Sequence, residues 1–356
     1  MSRHADLSAS LAENRKAMAQ AALDLQYAQD PELYQGHGPA QRAKSLEDAE
    51  NTLAFLAEAA SHESPVLFAD YIAWLKSVLL ACQVPERVLA DHLVCLQSVL
   101  KAGLDPEAFT LVEPSLLAAQ QRLPEAPAAP DSFLTTPGSL ATLANLYLDA
   151  LLKGDRRIAR DLVMGSMKAG AEVKSLYRQV FEPCQRELGR LWQLNRITVA
   201  QEHFCTAVTQ SLMSELYPQM FRRPGIGKRA VAACASGDLH ELGIRMVADF
   251  LEMEGWDTYY LGANMPESSL LAALEDQQAD LLALSATITY HVEHLAQVIS
   301  AVRARPELKR VKILVGGRPF NLSADLWHRI GADGTAPSAD AALQAVHTLV
   351  GREGHA

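Results

Sequence analysis

Several function classes are ruled out by what the sequence lacks. Its 356 residues include only five cysteines, Cys82, Cys95, Cys184, Cys205 and Cys234. None is paired at a Cys-x-x-Cys spacing. An odd, scattered set leaves no disulfide framework and reads as reduced cytoplasmic thiols buried in cores. No apolar run reaches the length that spans a bilayer, so no membrane is expected, and the polar, charged N-terminus is no signal peptide. The expectation is a cytoplasmic protein. A long Lys/Arg block is missing too, and the formal net charge is −10. Such a chain is a poor direct binder of nucleic acid, whose affinity rests on phosphate neutralisation. Arg222-Arg223 and Lys228-Arg229 are the nearest approach to a basic patch. There is no internal repeat and no long low-complexity tract.

Apolar material, by contrast, is ample. Hydrophobic residues make up 49% of the chain, enough for a full core in each of two or three domains. Two linkers mark the boundaries by composition. One runs from Leu123 to Gly138 with Pro124, Pro127, Pro130 and Pro137; the other runs from Arg222 to Lys228 with Pro224, Gly225 and Gly227.

Before the first linker every periodic stretch is helical. Leu53, Leu56, Ala57 and Ala60 recur at spacings of three and four, and Val66–Leu80, Arg87–Leu100 and Pro106–Leu123 follow suit. This predicts an all-helical domain over 1–123, of about five helices, with no chemical motif. Between the linkers, Ser139–Leu152, Asp155–Lys168, Glu172–Leu194 and Thr198–Phe221 predict a four-helix bundle over 138–221 with short, antiparallel connections.

After the second linker the period changes. Short apolar runs at Ala230–Ala235, Thr258–Leu261, Leu281–Ser285, Ile313–Val315 and Ala332–Thr335 alternate with helical stretches at Glu241–Glu254, Glu267–Gln277, His291–Arg303, Leu322–Arg329 and Ala339–Val350. Alternation of this kind builds right-handed βαβ units and a parallel sheet. The expected fold class is therefore α + α/β. Its third domain, 229–352, is a flavodoxin-like, Rossmann-like five-stranded sheet that binds ligands at the carboxyl ends of its strands.

The run Gly237-Asp238-Leu239-His240-Glu241-Leu242-Gly243 sits where the first strand ends and the first helix begins. His240 therefore lies at the ligand edge, where an imidazole is a common transition-metal ligand. Asp238 can reach its other ring nitrogen, fix the tautomer and raise its basicity. Gly243 leaves space where a bulky group must pass. A loop histidine beside a capping aspartate has the same composition. His291 and His294, after the third strand, read as polar residues of a helix's first turn, with a ligand-facing role as the alternative. Cys234 reads as core.

The pattern Asp238-x-His240-x-x-Gly243 resembles the cobalamin-binding domain family, as do Ser285 and Thr287 after the third strand, Gly316-Gly317 after the fourth and the closing Gly331-Ala332-Asp333-Gly334. The resemblance implies that His240 is the lower axial ligand of cobalt. It implies as well that the nucleotide tail of the cofactor passes Ser285, Thr287, Gly316 and Gly317. In the bundle, Trp192 is followed after nine residues by Glu202-His203. This spacing resembles the light-sensing cobalamin regulators of the CarH/LitR type. Carried over, Trp192 packs on the adenosyl group of adenosylcobalamin, Glu202 accepts hydrogen bonds from it, His203 lines the same pocket, and the bundle caps the upper face. A bundle-core Trp with a surface Glu-His pair is the plainer alternative. Gln193 stands where that group has a histidine that caps the cobalt after photolysis, which puts such a bis-histidine product in doubt. The N-terminal segment also shows no helix-turn-helix of the kind those regulators carry.

A mutase needs a barrel, for which the chain has no room. The reading is a stand-alone photoreceptor in which light cleaves the cobalt–carbon bond and a conformational change passes to a protein partner or alters self-association. Similar stand-alone proteins include photocobilins, which add a bilin such as biliverdin, and the anti-repressors related to AerR. A corrinoid methyl carrier of a methyltransferase system is the alternative.

Overall fold

A computed structural model describes residues 3–135, 138–221 and 223–351. Pro137 and Arg222 of the two expected linkers, and Arg352 at the end of the expected third domain, lie outside the described residues.

The chain divides into two compact units. The first takes in residues 1–128 together with two short later segments, 288–293 and 322–329. It contains six helices before the first linker: α1 (Arg3–Gln29), α2 (Pro31–Tyr34), α3 (Pro39–Ser61), α4 (Pro65–Ala81), α5 (Glu86–Gly103) and α6 (Pro106–Glu125). Proline opens α3, α4 and α6, where its missing N–H costs nothing. The long α1 was not legible from periodicity because alanines such as Ala19 and Ala22 supply much of its buried face. Its core holds buried polar groups. Gln26 donates to Tyr34 Oη and Val88 O, both at 2.8 Å, and its carbonyl oxygen lies 3.0 Å from His92 Nδ1. Burial pushes the His92 imidazole down to about 4, so it is neutral at ordinary pH. Lys76 is buried as well, bonded to Leu123 O and Ala126 O and paired with Glu86 at 2.9 Å. Within the same unit the Glu58 carboxylate accepts from Glu293 N at 2.7 Å, and Ser64 Oγ donates to Ser323 Oγ at 2.8 Å.

The second unit joins a helical bundle and the sheet. The bundle comprises α7 (Ala141–Leu152), α8 (Arg156–Lys168), the chain α9 (Val173–Leu176) to α10 (Glu182–Gln193), and α11 (Val199–Leu216). The expected single helix over Glu172–Leu194 is interrupted by a π turn, Tyr177–Phe181. A capping box starts α11: Thr198 Oγ1 accepts from Gln201 N, and Gln201 Oε1 accepts from Thr198 N.

The strands are β1 (Arg229–Cys234), β2 (Asp257–Gly262), β3 (Leu281–Ser285), β4 (Lys312–Gly316) and β5 (Gly334–Ala336). Every pairing is parallel, in the order β2-β1-β3-β4-β5. This is the flavodoxin-like order, and the switch point between β1 and β3 is where such sheets place ligands. The intervening helices are α12 (Leu242–Met253), α13 (Glu267–Asp276), α14 (Val292–Ala304), α15 (Arg318–Leu322), α16 (Leu326–Arg329) and α17 (Ala339–Val350). The expected helix over Leu322–Arg329 is instead the two short pieces α15 and α16. Ser323, buried between them, turns its hydroxyl to Asp325 and to Ser64 rather than continuing the helix.

Bundle and sheet share one core, in which Tyr147, Tyr177 and Phe181 pack with Phe250, Trp256 and Leu281. At its centre Tyr177 of the π turn donates to Asp249 of α12 at 2.8 Å and stacks on Phe250. Burial pushes the Asp249 carboxyl up to about 6, against an ordinary 3.8. A carboxyl raised in the folded state binds more protons there than when unfolded. Its contribution is therefore greatest below about pH 4 and is lost as pH climbs through about 6. Asp249→Asn keeps an acceptor for Tyr177 without the charge. Relative to that variant, the wild type should lose on the order of 2 kcal/mol between pH 4.5 and pH 7.5, read from paired thermal melts.

Candidate functional site

The site is built at the carboxyl end of β1. Gly237 takes a left-handed backbone (φ +82), which turns the chain out of the strand. Asn264, itself left-handed (φ +51), holds that turn, its side-chain oxygen accepting from Gly237 N at 2.8 Å and its N–H donating to Asp238 O at 3.0 Å. From the other side, His294 Nδ1 donates to Ser236 O at 2.9 Å. His294, read from sequence as a first-turn polar residue, is thus a support of this loop. His291 is buried in the turn before α14.

The turn delivers Asp238 inward and His240 outward. Asp238 is 0% exposed. Its Oδ1 accepts from His240 N at 3.0 Å and from His240 Nδ1 at 2.8 Å, while Oδ2 accepts from Thr287 N at 2.6 Å. An ionised carboxylate only accepts, so the ring proton sits on Nδ1 and Nε2 keeps its lone pair. The His240 side chain is 57% exposed. The bond to Asp238 raises the imidazole pKa against the opposing effect of burial, and Glu202 adds to the rise.

The remaining expected residues divide by what surrounds them. A Cβ at Gly243 would meet nothing within 4 Å. Its smallness answers no neighbour in the protein and leaves an open cradle one turn beyond His240. Gly317 is different. With φ +108, a Cβ there would lie 2.0 Å from Ala286 O, so the fold itself demands glycine. Gly316 O accepts from Ala286 N at 3.1 Å and keeps the ends of β3 and β4 together. Ser285 Oγ donates to Cys234 Sγ at 3.4 Å, and Cys234 is a core thiol pushed up to about 12 by burial. Thr287 serves Asp238 through its backbone. Trp192 ends α10 with 39% of its surface exposed, and Leu239 beside His240 is 73% exposed. Glu202 Oε1 accepts from Thr206 Oγ1 at 2.8 Å, and His203 extends into solvent.

One imidazole with a carboxylate behind it, a free Nε2, an open glycine cradle and exposed apolar side chains fit a flat metal macrocycle. His240 would be the protein's axial ligand. Sequence reasoning found Asp238, His240 and Gly243 and singled out His294 without its contact to Ser236, but missed Asn264, which belongs to no motif. A positive-φ Asn leaves no trace in periodicity.

Replacing Gly317 by Ala should cost about 3 kcal/mol of unfolding free energy, from the strained backbone and the clash with Ala286, measured by urea titration. Replacing Gly243 by Ala should leave stability within about 0.5 kcal/mol.

Comparison with known proteins agrees with the geometry. Residues 228–346 and residues 143–217 each match a model described as a B12 binding domain. The chain is 34% identical over 123 residues to the HTH-type transcriptional repressor CarA of Myxococcus xanthus, a match covering 34% of this chain and 41% of that protein. It is 22% identical over 205 residues to trimethylamine corrinoid protein 1 of Methanosarcina acetivorans, covering 57% of this chain and 94% of that one. The solved monomethylamine corrinoid protein of Methanosarcina barkeri shares the fold, with a TM-score of 0.53 and 20% identity, over 59% of this chain and all of that one. Through its bundle and its sheet, this chain belongs to the cobalamin-binding family.

Proposed function

We propose that this protein is a cobalamin-dependent light sensor. In this reading His240 holds the cobalt of adenosylcobalamin from below, and Trp192, Glu202 and His203 cover the adenosyl group from above. One observation carries it: Asp238 holds the Nδ1 side of an exposed His240 ring, and the residue next to His240 is bonded to α11, the helix that carries Glu202. Trp192 at the end of α10 and Leu239 beside His240 are both large apolar side chains left exposed.

Each residue has a task in this reading. Asp238 keeps the Nδ1 proton in place, so that in the neutral ring Nε2 carries the lone pair, and it raises the basicity of that nitrogen. Trp192 excludes water from the upper face, and the Glu202 carboxylate accepts from ribose hydroxyls or an amino group. Ser285, Thr287, Gly316 and Gly317 lie along the path of the nucleotide tail. The cofactor supplies a light-labile cobalt–carbon bond. Trp192 and α11 would pack on the upper group, so its presence or absence would change what the bundle packs against. The change passes to a protein partner or to self-association.

A corrinoid methyl carrier for a methyltransferase is the second reading. The match along 94% of a trimethylamine corrinoid protein favours it.

The two readings separate in an absorption experiment. Protein reconstituted in the dark with adenosylcobalamin is scanned before and after green light, with and without biliverdin. A sensor converts irreversibly to a cob(III)alamin spectrum faster than free cofactor does, and its elution volume on gel filtration changes. A response equal to that of free cofactor, without a size change, establishes the carrier. Trp192→Ala should cut the preference for the adenosyl over the methyl form by about tenfold in a sensor and leave a carrier's methyl transfer intact.

A further inference from the structure

Glu241 directly follows His240, and its two oxygens engage two different elements. Oε1 accepts from Gln210 Nε2 of α11 at 2.5 Å, and Oε2 accepts from Tyr260 Oη of β2 at 2.9 Å. Burial, with Glu241 beside it, drives the Tyr260 phenol well above its ordinary range, so its proton stays in that bond. The end of β2 is shaped around the same carboxylate: a Cβ at Gly262 (φ +78) would lie 2.9 Å from Glu241 Oε2. Arg245, one turn into α12, adds bonds to Gln210 O at 3.3 Å and Ser214 Oγ at 2.9 Å.

The far end of this connection lies on α11. Glu202, Thr206 and Gln210 are spaced by four residues and form one ridge of that helix. The ridge rises about 12 Å from Glu202 to Gln210. At one end it carries the carboxylate expected over the upper face. At the other it is fastened to the residue next to His240.

We propose that Glu241 is a positioning residue that ties the cap helix α11 to the lower-ligand loop, so that movement of the cap changes how firmly His240 holds the cobalt of a bound corrinoid. The proposal rests on the cobalamin reading of His240. It does not depend on whether the protein senses light or carries methyl groups, because in both the cap and the lower ligand sit on opposite faces of one cofactor.

The test uses the full chain reconstituted in the dark with methylcobalamin, whose absorption distinguishes histidine-bound from histidine-free cobalt. Glu241→Ala and Gln210→Ala should each raise the ratio of histidine-free to histidine-bound cofactor about tenfold. Glu241→Gln, which keeps a carbonyl acceptor, should fall between them and the wild type. In the cofactor-free proteins, hydrogen exchange should quicken both in residues 236–242 and in residues 203–212. An unchanged ratio in Gln210→Ala overturns the proposal, as does exchange that quickens in the loop alone. Gln210→Ala decides the matter should Glu241→Ala fail to fold. His240→Ala separates the premises: a wild-type spectrum in that variant removes the ligand assignment itself, whereas a histidine-free spectrum there with an unmoved Gln210→Ala removes only the coupling.

Discussion

Every feature of the site depends on one buried carboxylate. Asp238 is wholly enclosed at the end of β1, and burial of a carboxyl group is costly unless its oxygens are engaged. Three N–H donors engage them, from His240 backbone and ring and from Thr287 backbone. The same three bonds fix the imidazole tautomer and lock the loop after β1 to the loop after β3. Those loops flank the point at which the strand order reverses. Asp238 thus turns a topological crevice into a directional ligand. The left-handed turns at Gly237 and Asn264 and the support from His294 exist to deliver that carboxylate inward.

Much of this was legible in the sequence because it rests on local rules. Each strand of the sheet is a short apolar run before a helix, and its five runs lie within a few residues of the observed strands. The spacing of Asp238, His240 and Gly243 is one turn of chain, so their proximity follows from the number of bonds between them. What was hidden depends on tertiary context. The Asn264 and His294 contacts join residues 27 and 58 positions apart. Glu241 reads as an ordinary polar residue at a helix start until Gln210 and Tyr260 are seen on its two oxygens. The glycine pair shows the reverse case. Gly316-Gly317 was legible as a motif, yet the close approach at Gly317 is to the backbone of Ala286 in the fold itself. The π turn at Tyr177–Phe181 was invisible because its apolar spacing differs from that of an α-helix by only one residue per turn.

The second unit behaves as one body with a polar seam through it. The apolar core joins bundle to sheet. Along the seam, Lys174–Glu254, Gln210–Glu241 and Arg245–Ser214 pair the two parts by hydrogen bonds or ions. Such contacts cost less to rearrange than a fully apolar interface, because water and alternative partners can replace them. A cap that must respond to what lies beneath it is well served by a seam of this type. The first unit, with its own buried Gln26–Tyr34–His92 network, is a separately organised body.

The central claim is that the ring of His240 reaches cobalt. Electron paramagnetic resonance of the bound cofactor in its cob(II)alamin state tests it directly, with protein grown on natural and on 15N-labelled histidine. Coordination predicts that each high-field line is a triplet with natural histidine and a doublet with the labelled protein, and that both patterns vanish in His240→Ala. A triplet that survives the labelling would place another nitrogen on the metal and contradict the account.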